Sequence, residues 1–368
     1  MSVEYKSFDS LEEIERAKTL KETDKSCPSC GGTMQFDPST GGLYCPYCEY
    51  RASVIESGEA IVEQDIHRAG HTESFEWGQE KKQIICNSCG AEAIYDALEV
   101  ANVCPFCGSN HVMDAQMDDS LPPNGVIPFE ITAQTAGDNF KKWLKRKWFT
   151  PRAAKESARP DAFTGMYMPY WTFDADAHCT YTGEYGIRKT YTKDGKTHTR
   201  TDWYPTRGTY ERFIDDELVI GTTRHDPVIL KRVEPFEFES LKPYNPQYLS
   251  GFAAERYSVG LDSALETGKK QMEAILKSDV ESKIKREHNA SDSRIKQLNA
   301  SYSNITYKYI VLPLWASAFK FKNKVFQFMV NGQTGKVGGR APVSPLRVTI
   351  AVLIGLAVLA LIAYLSSL

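Results

Sequence analysis

Cys27 to Cys48 reads CPSCGGTMQFDPSTGGLYCPYC, and Cys86 to Cys107 reads CNSCGAEAIYDALEVANVCPFC. In both stretches a Cys-x-x-Cys pair, fourteen residues and a second Cys-x-x-Cys pair follow one another. A Cys-x-x-Cys pair folds as a tight knuckle that aims two thiolates at one point, and the loop returns the second pair to complete a tetrahedron. Because the loop is shorter than the usual range, compact ribbons are expected. Pro28, Pro46 and Pro105 pre-set three of the knuckle turns, and Gly31, Gly90 and Gly108 follow the second cysteine of a pair. The expected cofactor is two Zn²⁺ ions, one held by Cys27, Cys30, Cys45 and Cys48 and one by Cys86, Cys89, Cys104 and Cys107. Four thiolates leave no coordination position for water or substrate, so both zincs are expected to be structural.

Working outward, the chain has 368 residues, enough for two or three folding units, and nine cysteines. The paired spacing and the lack of an apolar stretch in Met1–Ser10 favour a reducing cytoplasm over a disulfide framework. Residues 1–112 hold 19 acids and 9 bases, and residues 113–368 hold 28 acids and 35 bases. After Asp292 only bases occur, nine of them up to Arg347. Affinity for nucleic acid comes mostly from Lys and Arg at phosphates. The ribbon region, 12 acids against 5 bases over residues 25–112, suits a protein partner better, and nucleic acid is not the expected ligand there.

The expected fold is multi-domain: two small four-cysteine zinc ribbons, an α+β domain and one C-terminal transmembrane helix. Residues 1–24 suggest a short amphipathic helix, with Leu11, Ile14 and Leu20 on one face. Ribbon 1 spans 25–52 and ribbon 2 spans 83–112, with linkers at 53–82 and 113–125. The α+β domain spans 126–340. An internal duplication is one reading of it, because Pro128-Phe129-Glu130 recurs as Pro235-Phe236-Glu237 and Met168-Pro169-Tyr170-Trp171 as Leu312-Pro313-Leu314-Trp315. Chance recurrence of short Pro-aromatic motifs is the other.

Helices are expected over Ala136–Trp148 and Asp262–His288, the second with Leu265, Met272, Ile275, Leu276 and Ile284 on its apolar stripe. Tyr185 to Tyr204 predicts a hairpin around Asp194-Gly195, and Phe319 to Phe328 a second β region. Val348–Leu365 is apolar without a charge and long enough to cross a bilayer. Arg340 and Arg347 flank it on one side, so the positive-inside rule keeps the N-terminal bulk in the cytoplasm, with a single-pass C-terminal anchor in the cell membrane.

Lys141-Lys142-Trp143-Leu144-Lys145-Arg146-Lys147-Trp148 mixes bases with tryptophan. One reading is a helix with a solvated basic face and two core tryptophans. The others are contact of Lys141, Lys142, Lys145, Arg146 and Lys147 with anionic lipid or with nucleic acid. Cys179 beside His178 in a strand-like run is expected to be a buried thiol, since strand neighbours point to opposite faces. His67 and His71 lack the glutamate of a helical zinc motif. Gly195-Lys196-Thr197 lacks the first glycine of a P-loop, Thr190 standing there. No HExxH, GxSxG or dinucleotide fingerprint occurs, so a non-enzyme is expected and no catalytic residue is assigned.

The motifs CPSCGG, CPYC, CNSCGA and CPFCG, then MPYWTFDA, LPLWASAFKFKNKVFQFMVNGQTGKV and a terminal apolar helix, together resemble a bacterial family of double zinc-ribbon (TFIIB-type) tail-anchored membrane proteins. Such proteins are also labelled as relatives of the primosomal replication helicase, an activity this chain lacks a motor for. The resemblance implies a role at the membrane, with phage-shock or SPFH-type envelope-stress proteins as partners. The expected function is a non-enzymatic membrane-anchored adaptor or scaffold, with a membrane-tethered nucleic-acid-binding protein as the alternative.

Overall fold

The computed structural model describes residues 27–55, 60–67, 81–86, 92–96, 112–114, 123–157 and 163–365, save positions 33, 194, 256 and 323. β1 (Gln35–Asp37), β2 (Gly42–Tyr44) and β3 (Arg51–Ser53) form a small antiparallel sheet. A twelve-stranded sheet holds β4 (Gln64–Asp65), β5 (Lys81–Cys86), β6 (Glu92–Asp96), β7 (Val112–Asp114), β8 (Gly125–Val126), β9 (Thr164–Lys193) and β10 (Lys196–Ile220). It also holds β11 (Lys242–Pro243), β12 (Ala253–Glu255), β13 (Asp292–Phe321), β14 (Lys324–Asn331) and β15 (Val337–Gly339). The α-helices among the described residues are α1 (Ala133–Arg146), α2 (Arg152–Ser157), α3 (Pro227–Val233), α4 (Leu261–Glu287) and α5 (Pro345–Leu365). The body is thus an α+β sheet domain.

β9 and β13 are each 30 residues long, against a usual strand of roughly 3–10. They pair antiparallel from Asp292–Gly186 to Ala316–Thr164, and β10 folds back on β9 through a turn where Gly195 takes φ 70°. Along the outer part of β9 the two faces alternate. Phe173, Ala175, Ala177, Cys179 and Tyr181 are buried, while Asp176, Thr180 and Thr182 are exposed. The buried face carries α4, whose Ala264, Gly268, Met272, Leu276, Val280 and Ile284 form the packed stripe. Gly268 permits close approach, since a Cβ there would lie 3.1 Å from the Phe173 ring. Near the middle, Tyr170 and Met168 on the other face pack against Ile229, Leu230 and Val233 of α3. Burial on both faces explains the unbroken apolar run Met166–Trp171.

The centre of the sheet repeats itself about Met168, which lies opposite Leu312. β8 runs parallel to β13, with Val126 opposite Val311, and β12 runs parallel to β9, with Ala254 opposite Tyr167. Trp171 Nε1 donates to the Val259 carbonyl at 2.9 Å, and Trp315 Nε1 donates to the Ile131 carbonyl at 3.0 Å. The Gly221 amide donates to Pro169 O and the Gly332 amide to Pro313 O. The Gly221 carbonyl accepts from Ser258 and Val259 as the Gly332 carbonyl does from Glu130 and Ile131. The two Pro-aromatic motifs are therefore equivalent in place. The Pro-Phe-Glu pair is not: Phe129 packs on Trp315 as Tyr257 packs on Trp171, whereas Phe236 lies against Tyr170.

Several expectations change. α1 stops at Arg146 rather than Trp148, and Trp148 is 80% exposed rather than a core residue; only Trp143 is packed. Tyr185–Tyr204 is just the tip of the β9–β10 hairpin. The stretch 53–82 supplies β4, which pairs with β13, and the start of β5; β7 and β8 reach into 113–125. β6 pairs with β12, so β5, β6 and β7 extend the large sheet. The proposed helix in 1–24 lies outside the described residues. α5 runs Pro345–Leu365, its best window has a mean hydropathy of 2.8, and it is long and apolar enough to cross a membrane.

Candidate metal centre and charged clusters

Residues 27–48 bring four cysteines together. The ligand atoms of Cys27, Cys30, Cys45 and Cys48 all lie within 4.8 Å of one another. Cys27 Sγ is 3.4 Å from Cys48 Sγ, and Cys30 Sγ is 3.5 Å from Cys45 Sγ. A tetrahedral zinc with Zn–S bonds of ~2.3 Å sets its sulfurs about 3.8 Å apart, so the four thiols could hold one zinc ion. The knuckles close as the sequence predicts: Gly31 N donates to Cys27 O with Gly31 at φ 76°, and Glu49 N donates to Cys45 O.

Backbone amides face two of the thiols. The Gly32 amide favours the Cys30 thiolate, yet hydrogen bonds with Cys48 and Cys45 outweigh it and push Cys30 up to about 12. Desolvation opposes the Cys45 thiolate, but the amides of Cys48 and Tyr47 take it down to about 7. Amides aimed at sulfur are what a bound thiolate needs. Of the second expected set, Cys86 ends β5, its backbone paired with Val112; Cys89, Cys104 and Cys107 lie outside the described residues.

The four-cysteine segment is packed onto the body. Phe36 N donates to Ser250 O, the Phe36 and Tyr248 rings meet at 5.5 Å, and Gln247 Oε1 accepts from Ile55 N. Tyr167 in β9 holds the other side of this loop through Tyr248 O. The four-cysteine group therefore sits one loop away from the apolar middle of the sheet. Its outer surface carries Tyr47, 76% exposed, and Tyr50, 40% exposed. Tyr47 lies over Gly32, where any Cβ would come within 2.5 Å of its ring.

Sequence reasoning missed two charged clusters. Lys308 in β13 is nearly buried, with Nζ 2.8 Å from Asp216, 3.0 Å from Glu63 and 3.4 Å from Asp174. Asp216 takes φ 50° at a β-bulge and donates its amide to Asp174. Asp174, Asp215 and Asp216 are close enough together to resemble a metal site, but Lys308 already supplies the cation. The signal was a lone lysine in the apolar run Tyr307–Leu312; its partners are far away in sequence. The second cluster centres on Glu255, fully buried, which accepts from Thr222 Oγ1 at 2.5 Å and lies 3.1 Å from His225 Nε2. With Arg224 this ties down the loop after β10, beside a cleft of about 810 Å³ lined by Val219, Ile220, Val228 and Gln271 among others.

The chain is 28% identical over 324 residues to the Bacillus subtilis (strain 168) protein YdjG, described as uncharacterised. The match covers 86% of this chain and 89% of YdjG. No protein-family model and no solved structure matches.

Cys179 is buried against α4, and burial pushes its thiol up. His178 faces the opposite side and pairs with Glu211, so the two make no catalytic pair. Lys141, Lys142, Lys145, Arg146 and Lys147 are all exposed on or just after α1; Lys141 is 3.6 Å from Asp138, and Lys147 Nζ lies 4.7 Å from the Trp143 ring centroid.

Proposed function

We propose that this protein is a non-enzymatic adaptor on the cytoplasmic face of the cell membrane, in which a zinc ribbon presents a protein-binding surface and α5 is the anchor. The observation that carries this reading is the exposed Tyr47 on the second knuckle, its ring over Gly32, with the exposed Tyr50 three residues on. Aromatic side chains held in place by their own fold anchor protein interfaces, because little entropy is lost on binding. The acidic ribbon stretch opposes phosphate binding. The zinc is structural, closed by four thiolates, and a second zinc at Cys86, Cys89, Cys104 and Cys107 follows from the repeated spacing. The repeated hydrogen bonds about Met168 and Leu312 support an internally duplicated platform between ribbon and anchor.

The resemblance to double zinc-ribbon tail-anchored proteins adds phage-shock or SPFH-type membrane proteins as the partner class and envelope stress as the setting. The test is a crosslinked capture of full-length protein from membranes, with and without nuclease. Tyr47→Ala keeps all four thiols and the Tyr47 amide that faces Cys45, and is expected to lose a nuclease-resistant protein partner while retaining zinc. Partners that vanish with nuclease and persist in Tyr47→Ala would instead favour nucleic acid, with Lys141 to Lys147 as its contact.

A further inference from the structure

The end of α1 is fastened to the beginning of α5. Arg347, in the first turn of α5, donates from Nη1 to the carbonyls of Trp148 and Thr150, both at 2.8 Å. Ser344 N donates to Phe149 O at 2.8 Å. Three hydrogen bonds thus place the Trp148–Phe149 turn at the level where α5 begins. The turn is apolar and open: Trp148 is 80% exposed and Phe149 42%, and Val343 and Leu346 beside them are 61% and 70% exposed. Lys145, Arg146 and Lys147 lead into it, all exposed.

Resting on the reading of α5 as a membrane span, we propose that the Trp148–Phe149 turn is an interfacial foot that enters the headgroup region of an anionic bilayer, with Arg347 as the residue that positions it. α5 spans ~32 Å, so its first turn falls at the polar boundary of the hydrocarbon core. Tryptophan favours that depth, with its ring in the boundary and its N–H among the headgroups. The adjacent bases meet anionic lipid from the cytoplasmic side. The assignment selects among the readings of the basic run: its C-terminal end faces lipid, whereas Lys141 is held near Asp138. The foot also fixes how the sheet domain stands on the membrane, which a single helix on a free linker would not do.

The test is tryptophan quenching in nanodiscs of phosphatidylcholine and phosphatidylglycerol that carry bromine at a shallow or a deep acyl position. α5 contains no tryptophan, so the signal comes from the cytoplasmic region. Wild type minus Trp148→Phe should give a component that shallow bromolipid quenches more than deep. Arg347→Ala should lose most of that component, and Arg347→Lys less of it, while both stay in the membrane after an alkaline carbonate wash. Equal quenching of wild type and Trp148→Phe in protein that resists the wash would overturn the foot and leave the span standing. Release of the wild type by carbonate would overturn the span, and the foot with it.

Discussion

Cys45→Ser is expected to remove one zinc per chain and unfold the first ribbon. A structural zinc binds with roughly 10–16 kcal/mol, as much as a whole domain's stability, and a three-stranded sheet of nine residues has no other source of comparable size. The loss should spread, because Phe36 and Ile55 hold the loop around Tyr248. Hydrogen exchange should therefore accelerate at Phe36 and Leu43 first and then around Tyr248, while α5 stays in the membrane. Metal analysis gives the direct count. Cys179→Ser is the control: that thiol lies between β9 and α4, and its loss should leave the zinc content unchanged. A zinc content unaltered by Cys45→Ser would contradict the four-thiolate centre.

The second large effect is expected from Lys308→Met. Methionine matches the stem of lysine but leaves Asp174, with a side chain 2% exposed, facing Asp216 and Glu63 without a cation. Breaking a buried ion pair from one side costs about 3–5 kcal/mol. In a body of this size that lowers Tm by roughly 6–20 °C. Adding Asp174→Asn should recover part of the loss, since it removes one of the stranded charges. The pH dependence follows from the lysine. Burial works against its charge, but hydrogen bonds with Asp216 and Glu63 outweigh that and hold its pKa above the ordinary lysine range. A raised cation contributes in full below the unfolded pKa of about 10.4 and loses its contribution as pH climbs through the folded value. The Tm difference between wild type and Lys308→Met should thus shrink in strong alkali, as the lysine loses its proton, and again in acid, as the stranded carboxylates gain theirs. A difference that persisted unchanged through strong alkali would point to another group.

What was legible in the sequence was local. The grouping of Cys27, Cys30, Cys45 and Cys48 could be read from cysteine spacing, because all four lie within one short stretch and need no help from the rest of the chain to meet. The β9–β10 turn was legible because Gly195 supplies the positive φ it needs. The length of β9 and β13 was not, since strands of 30 residues exist only through pairing with each other. The true partner of Phe129 was also hidden: Tyr257 is equivalent by register and hydrogen bonding, not by letter, and the matching letters at Phe236 misled. Trp148 illustrates a period misread. It lies five residues after Trp143, about 140° around a helix, so the two could not share a core face. The partners of Lys308 were unreadable because Asp174 and Asp216 reach it only when β9, β10 and β13 align, and Glu63 joins them from the segment before β4.

The central claim is that the tyrosine knuckle of the ribbon meets protein. Replacing Tyr47 by the photoreactive benzoylphenylalanine in the full chain, irradiating intact cells and treating the extract with nuclease tests it most directly. The account predicts a discrete adduct in the membrane fraction that resists nuclease, yields peptides of a second protein, and is absent when the same group replaces solvent-exposed Tyr191 on the distant hairpin. An adduct that nuclease removes, or the same adducts from both positions, would contradict it.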